Sequence, residues 1–453
     1  MSTSLNELLA CPRCDKTPLI ENDGVYRCEA CKIDFPSIDG IPWMFAEPQA
    51  TLGEWRGRLQ FSLQQLSQES ARLEAELGNK DLRPLTKRRI ERYKKATDSH
   101  RRSLAKILQP VDVQSLHGDY EGYLALRTRL PADQGLNTYY ANVHRDWAWG
   151  GEENKASIKQ VRAVLHENAE LGNVLVLGAG AGRLAYDLHQ CTSADLTVAL
   201  DFNPLLAGIA ARVSRGETIE LWEFPIAPRT AKDHAVLRKF DAEAARPGLE
   251  FVLGDALRAP FRKAAFDTVI TPWLVDILPL DFGELAARVN GLLAKGGSWV
   301  NFGSLAFDAQ EESRHYTLEE CVALLERKGF GDPQHRADRI PYMCSPASRH
   351  GRMEEVVSFR VTKAKNIKPA SRYQSLPEWL VTGKEAVPAL PAFQLQAASN
   401  RIFAFVMGLI DGKRSIDDMA QLLESQRLMQ QQEADGVIRD FLTRMYEDSR
   451  RSN

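Results

Sequence analysis

Three aspartates and four cysteines are the residues whose type and spacing could do chemistry in this chain. Asp201 ends VALD, Asp255 ends VLGD, and Asp276 sits inside ITPWLVDILPLD, each after an apolar run that reads as a buried strand. A carboxylate among apolar residues is costly, so each needs a partner or a proton. The cysteines form two Cys-x-x-Cys pairs, CPRC (Cys11, Cys14) and CEAC (Cys28, Cys31), separated by thirteen residues. Each pair makes a tight turn that aims two thiolates at one point. Four sulfurs in a tetrahedron are what Zn²⁺ takes in a closed structural site. Such a site keeps no open position, so a structural zinc ribbon is expected, without catalysis at the metal. Cys191, Cys321 and Cys344 are scattered, as reduced thiols of a cytoplasmic protein would be.

The elements that must carry the aspartates alternate. NVLVLG, LTVALD, LEFVLGD, FDTVITPW and SWVNFG read as strands, and GRLAYDLHQ, PLLAGIAARV and ELAARVNGLLAKGG as the helices and turn between them. That alternation means a parallel α/β sheet. VLVLGAGAGRLA places Gly178, Gly180 and Gly182 at a strand-to-helix turn, where glycine lets the backbone approach a ligand. The dinucleotide fingerprint wants a further glycine at 183, and Arg183 stands there. Alone, the turn fits a nucleotide ligand or tight packing. Asp201 could take both ribose hydroxyls, and Asp255 with Ala256 lies near where an adenine edge would rest. Helix capping is the alternative role of the two acids, and of Asp276 after the fourth strand. LLAKGGSWVNFG adds the Gly-Gly turn and late strand typical of class I S-adenosylmethionine methyltransferases. All three acids fall at strand C-termini, where doubly wound sheets bind ligands. We therefore expect a Rossmann-like, doubly wound class I sheet holding S-adenosyl-L-methionine.

A chain of 453 residues is too long for one ordinary core. We expect a zinc ribbon over 1–45, a helical segment over 46–136 and the methyltransferase domain over 137–363. A linker with four prolines over 364–392 and a helical or winged-helix domain over 393–453 complete the order. Gly78 and Pro84 break the helical segment, and Ser415 caps a helix in the tail. A formal net charge of −2 gives no sign of a nucleic-acid or membrane partner. No apolar run is long enough to span a bilayer, and the N-terminus does not read as a signal peptide. RPLTKRRIERYKKATDSHRR (83–102) is basic, but Tyr93 is its only aromatic residue, so it reads as a solvated helix face.

Three stretches resemble known families. LLACPRCDKTPLI with YRCEACKIDFPSIDGIPWMF is similar to the small zinc-binding activator subunits of tRNA and release-factor methyltransferases, which implies a docking or stabilising module. TYYANVHRDWAWGGEENKASI, VLVLGAGAGRLAYDL, FDTVITPWLVDILPLD, LLAKGGSWVNFGSLAF and YTLEECVALLERKGF resemble the carnosine N-methyltransferase family over about 137–330. That resemblance implies that Asn142 and Arg145 reach the methionine end of the cofactor. It implies that Gly178, Gly180, Asp201 and Asp255 hold the rest. It also puts Asp276 on the acid that holds one imidazole nitrogen while the other attacks the methyl group. The tail, NRIFAFVMGLIDGKRSIDDMAQLLESQ onward, resembles the small winged-helix domain of the pyrroloquinoline-quinone peptide-chaperone type, which implies a peptide or protein partner bound by strand addition.

The departures lie at the acceptor end. The family's histidine after NFG is replaced within SLAFD, where Asp308 stands, and its tyrosines before the last strand are replaced by RMEEVVSFRV. Asp308, His315 and Tyr342 are the candidate substitutes. The expected activity is N-methylation of an imidazole, amine or amide nitrogen on a small molecule or peptide, with an acceptor other than carnosine. Two alternatives are a cofactor-binding scaffold without catalysis and a tRNA or protein methyltransferase.

Overall fold

The computed structural model describes residues 3–113, 140–165, 170–307, 311–368 and 386–451. The chain divides into two compact units, 1–375 and 376–453. Among the described residues no helix is long and apolar enough to cross a membrane.

The first unit opens with a small antiparallel sheet of β1 (Ile20–Asn22), β2 (Val25–Cys28) and β3 (Ile33–Phe35) around the four cysteines. Next come β4 (Ser37–Ile38) and β5 (Ile41–Met44). β5 pairs in parallel with β10 (Leu249–Gly254), Trp43 opposite Leu253 and Met44 opposite Gly254, so IPWM is a strand of the main sheet, with β4 outside it. The ribbon is joined to that sheet twice more, by Ala10 N donating to Pro260 O (2.8 Å) and Arg262 N donating to Leu8 O (2.9 Å). The helices Pro48–Leu77 and Pro84–Ile107 follow in the same compact unit, broken by Gly78 and Pro84 as expected.

Among the described residues the large sheet has nine strands, in the order β13-β14-β12-β11-β6-β7-β10-β5-β4. Its parallel centre is β6 (Asn173–Leu177), β7 (Leu196–Asp201), β10, β11 (Phe266–Pro272) and β12 (Leu293–Gly303). β14 (Arg352–Lys363) runs antiparallel to β12 and to β13 (Phe330–Tyr342). This order, with one antiparallel strand beside the last parallel one, is the class I methyltransferase arrangement that the sequence leads one to expect. β6 shows why the centre folds so. Val174 and Val176 join one apolar cluster, while Leu175 and Leu177 join another. Alternate residues thus feed both faces, as a strand covered on both sides requires. The order reverses between β6 and β11, so the segments after these strands flank the switch point of the sheet.

Strand β13 has no counterpart in the sequence reading, nor has the hairpin before β10. That hairpin, of β8 (Ile219–Glu223) and β9 (Val236–Phe240), sits between the helix Pro204–Ser214 and β10. The described part of the second unit has three helices, Pro391–Gly408, Ile416–Ser425 and Gln431–Arg451, packed through Val406, Met419, Leu423 and Ile438. Ser415 caps the middle helix in a reciprocal pair with Asp418. No strand occurs among the unit's described residues, so the wing of the expected winged helix is missing there and the helical part stands.

Candidate functional site

A cavity of about 690 Å³ opens at the C-terminal ends of the parallel strands. It lies in the size range of small-molecule sites. The turn after β6 forms its floor. Gly178, Gly180 and Gly182 all adopt positive φ (69°, 58° and 81°), but each for a different reason. A Cβ on Gly178 would meet Leu274 Cδ1 at 2.8 Å, and one on Gly182 would meet Ala210 Cβ at 2.7 Å. A Cβ on Gly180 would meet nothing within 4 Å, because Gly180 faces the cavity. Gly182 is not among the residues lining the cavity. Its expected place at the cofactor becomes a packing role against the helix Pro204–Ser214 and Phe251.

Asp201 closes β7 and is buried. Its Oδ2 accepts from Gly180 N (2.7 Å) and its Oδ1 from Asn203 N (2.8 Å). Burial pushes its carboxyl pKa up to about 6, against the pull of these backbone donors. The helix after it is capped by Asn203 instead, whose Oδ1 accepts from Leu205 N and Leu206 N, with Pro204 in the first turn. Asp255 does act as a cap: its Oδ1 accepts from Leu257 N (2.8 Å) at the short 3₁₀ turn Ala256–Arg258. Burial raises its carboxyl too, while Arg258 and Arg288 oppose. Both aspartates and Ala256 line the cavity.

Asp276 lies in the turn between β11 and the helix Phe282–Leu292, and Asp281 caps that helix. Asp276 is thus free of the capping role. It is 6% exposed. Its Oδ2 accepts from Ser304 Oγ (2.5 Å) and Ala306 N (3.0 Å), which leaves Oδ1, on the cavity wall, without a partner among the described residues. The residue that starts this turn, Trp273, has φ 50°, a conformation a bulky side chain seldom adopts. Trp273 packs its ring against Tyr342 at 4.9 Å between centroids, and both line the cavity.

The fourth wall is RDWAW. Residues Arg145–Trp149 form one π-helical turn between the helices Tyr140–His144 and Gly151–Val164. Such turns recur at functional sites. Gly150 permits it, since a Cβ there would meet Arg145 O at 2.3 Å. Asn142 and Arg145 both line the cavity. Arg145 Nε donates to Asp146 Oδ1 (2.7 Å) and Nη1 to Glu153 Oε1 (3.3 Å), and Nη2 has no hydrogen bond to the described residues. Burial alone would lower the guanidinium pKa, but Asp146 and Glu153 more than reverse this and hold it above its usual value. Sequence reading passed over Glu153, Trp273, Arg352 and Glu354. The last two form an ion pair on the cavity side of β14, and Arg352 lies 4.7 Å over the Tyr342 ring. The resembled family's missing tyrosines pointed to that stretch, but not to those positions.

One acceptor-side candidate falls elsewhere. His315 is on the surface beside Glu312, carried out by the turn Glu312–Arg314, and is not among the cavity residues. Asp308 lies outside the described residues.

At the ribbon, the Sγ atoms of Cys11, Cys14, Cys28 and Cys31 all lie within 4.8 Å of one another. Cys14 and Cys28 are 3.5 Å apart, and Cys11 and Cys31 are 4.0 Å apart. Zn–S bonds of about 2.3 Å in a tetrahedron would separate the sulfurs by about 3.8 Å, so donor type and spacing both fit Zn²⁺.

No protein-family model matches the chain, and no curated protein matches it. Solved structures do. One is a SAM-dependent methyltransferase from Thermotoga maritima described as a possible histamine N-methyltransferase, at 16% identity and TM-score 0.30, over 49% of this chain and 92% of that one. Another is a SAM-dependent methyltransferase from Methanosarcina mazei, at 14% identity and TM-score 0.31, over 45% of this chain and 96% of that one. A third is phosphoethanolamine N-methyltransferase 2 from Haemonchus contortus with phosphomonomethylethanolamine and S-adenosylhomocysteine, at 16% identity and TM-score 0.29, over 45% of this chain and 44% of that one.

Proposed function

We propose that the protein is an S-adenosylmethionine-dependent N-methyltransferase whose acceptor is a small molecule or a peptide. One observation carries this reading: a single cavity at the switch point gathers the open glycine turn, Asp201, Asp255, Arg145 and Oδ1 of Asp276. When bound, the cofactor supplies a methyl group already activated on a sulfonium. The protein then has mainly to align a nucleophile and keep its lone pair free. Asp201 would take the ribose hydroxyls and Asp255 with Ala256 the adenine edge. Arg145 Nη2, with Asn142, would take the carboxylate of the methionine end. Asp276 Oδ1 would accept an N–H of the acceptor and so aim the attacking lone pair. Ser304 and Ala306 keep that carboxylate from turning away. Charged Arg352 and Glu354, where the resembled family has tyrosines, favour an acceptor other than carnosine. Zn²⁺ on the four cysteines would hold the ribbon and take no part in the reaction.

Titration calorimetry with S-adenosylmethionine and S-adenosylhomocysteine tests the cofactor half; no heat with either overturns the reading. Incubating a cell extract with methyl-labelled cofactor, followed by mass spectrometry, tests the acceptor half. Label on nitrogen of a small molecule or peptide is the expected outcome. Binding without any product would leave a cofactor-dependent scaffold.

A further inference from the structure

The segment joining β13 to β14, residues 343–351, is held to the body of the unit by two buried glutamates. Glu223 is one. Its Oε1 accepts from Ser345 Oγ (2.5 Å) and its Oε2 from Arg238 Nε (2.7 Å). Arg349 adds bonds to the same hairpin through Ala227 O, Pro228 O and Arg229 O. Glu153 is the other. It is 4% exposed, its Oε2 accepts from Met343 N (2.8 Å), and its Oε1 accepts from Arg145 Nη1 (3.3 Å). Both anchors are Arg–Glu pairs, but they differ in what stands behind the arginine. Arg238 is not among the residues lining the cavity described above, whereas Arg145 is. Met343 has φ 54° and directly follows Tyr342, so its amide sets where that ring and the Arg352–Glu354 pair stand.

We propose that Glu153 is a positioning residue that ties the cofactor-side arginine to the acceptor-side segment, so that cofactor bound at Arg145 tightens residues 342–351. The inference rests on the methyltransferase reading. A carboxylate ligand on Nη2 would fix the guanidinium plane, and with it the Nη1–Glu153 bond. The second oxygen of Glu153 then holds Met343 N in one place. Breaking a buried pair on one side leaves the other charge uncompensated, so the coupling is stiff. Cofactor would in this way shape the acceptor wall before the acceptor arrives.

Hydrogen exchange of the full chain with and without S-adenosylhomocysteine, beside calorimetry of the same samples, tests this. In the unsubstituted protein, exchange across 342–351 should slow by about tenfold or more on binding. Glu153→Gln can still accept from Met343 N but turns an N–H toward Arg145. It should bind the compound and lose the response. Glu223→Gln should exchange faster in the segment at rest yet keep the response, which separates coupling from simple anchoring. Glu153→Asp, one methylene too short to reach both Met343 N and Arg145, serves if Glu153→Gln does not fold. Binding with unchanged exchange in the unsubstituted protein, or a full response in Glu153→Gln, overturns the coupling alone. No binding at all overturns the methyltransferase reading and the coupling with it.

Discussion

At the scale of single residues, the site sorts into groups that shape space and groups that carry charge. Gly182→Ala would drive a Cβ onto Ala210 at 2.7 Å, and its positive φ adds strain. We expect it to cost about 1–3 kcal/mol in denaturant unfolding, with cofactor affinity little changed in the folded fraction. Gly180→Ala meets open space, so its loss should appear in calorimetric affinity far more than in stability. Asp276→Asn keeps shape and removes charge. Turnover should fall by about 10²-fold or more with cofactor affinity nearly unchanged, as for a positioned acid–base group. Lost cofactor binding would instead make Asp276 structural. Asp201 has its pKa raised to about 6 by burial. Above that pH it is ionised and can accept from two hydroxyls; below it, a proton occupies one oxygen. Cofactor affinity should therefore weaken as pH falls below about 6, by up to about tenfold per pH unit, and Asp201→Asn should flatten the profile.

At the scale of elements, the parallel centre was legible because its strands are apolar runs, most of them ending at an aspartate or glycine. NVLVL and LTVALD cannot be solvated on either face, so their neighbours follow. Besides β13, three elements were not legible, and each has a physical reason. β5 reads as the tail of a Cys-rich ribbon, since IPWM is four residues and its pairing with β10 is long-range. The β8–β9 hairpin has a mixed pattern of buried and exposed positions and a twelve-residue connection, Phe224–Ala235, without a tight-turn signature. The π-helical RDWAW has no period of its own. Arg145 was reached through family likeness, and Glu153, one turn on, was missed because GEEN reads as the acidic first turn of a helix. The cysteine quartet was fully legible from spacing. Replacing Cys28 with serine should release one zinc per chain and lower the thermal midpoint by roughly 5 °C or more, read by metal analysis and calorimetry. The hydrogen bonds between residues 8–10 and 260–262 place that loss next to the turn after β10, so cofactor affinity should weaken with it.

At the scale of the whole molecule, the helical segment is part of the larger unit's interior. His100 on Pro84–Ile107 and His144 beside the π-turn are 4% and 2% exposed, edge-on to Tyr140, Phe224 and Phe240. Burial lowers their pKa values to about 4 and about 3, with the neighbouring His100 and Arg238 charges adding to the shift at His144. Unfolded, both titrate near 6.5, so the unfolded chain binds protons first as pH falls. Stability is then fully present above about pH 6.5 and is lost toward pH 4, at up to roughly 1.4 kcal/mol per pH unit for each ring. Denaturant midpoints between pH 7.5 and 5 read this, and His144→Phe should blunt the slope. The two margins of the large sheet have a further consequence. On one side the last strand, β4, is two residues long. On the other, β13 carries Pro333, Arg336, Asp338 and Arg339 along its outer length. Neither border offers a long apolar row of free amides to a passing chain, which guards a nine-stranded sheet against stacking into aggregates. The N-terminal ribbon thus also acts as a hem. A chain that begins at residue 48 would leave β10 as a bare, apolar selvedge, and it should precipitate where the full chain stays dispersed.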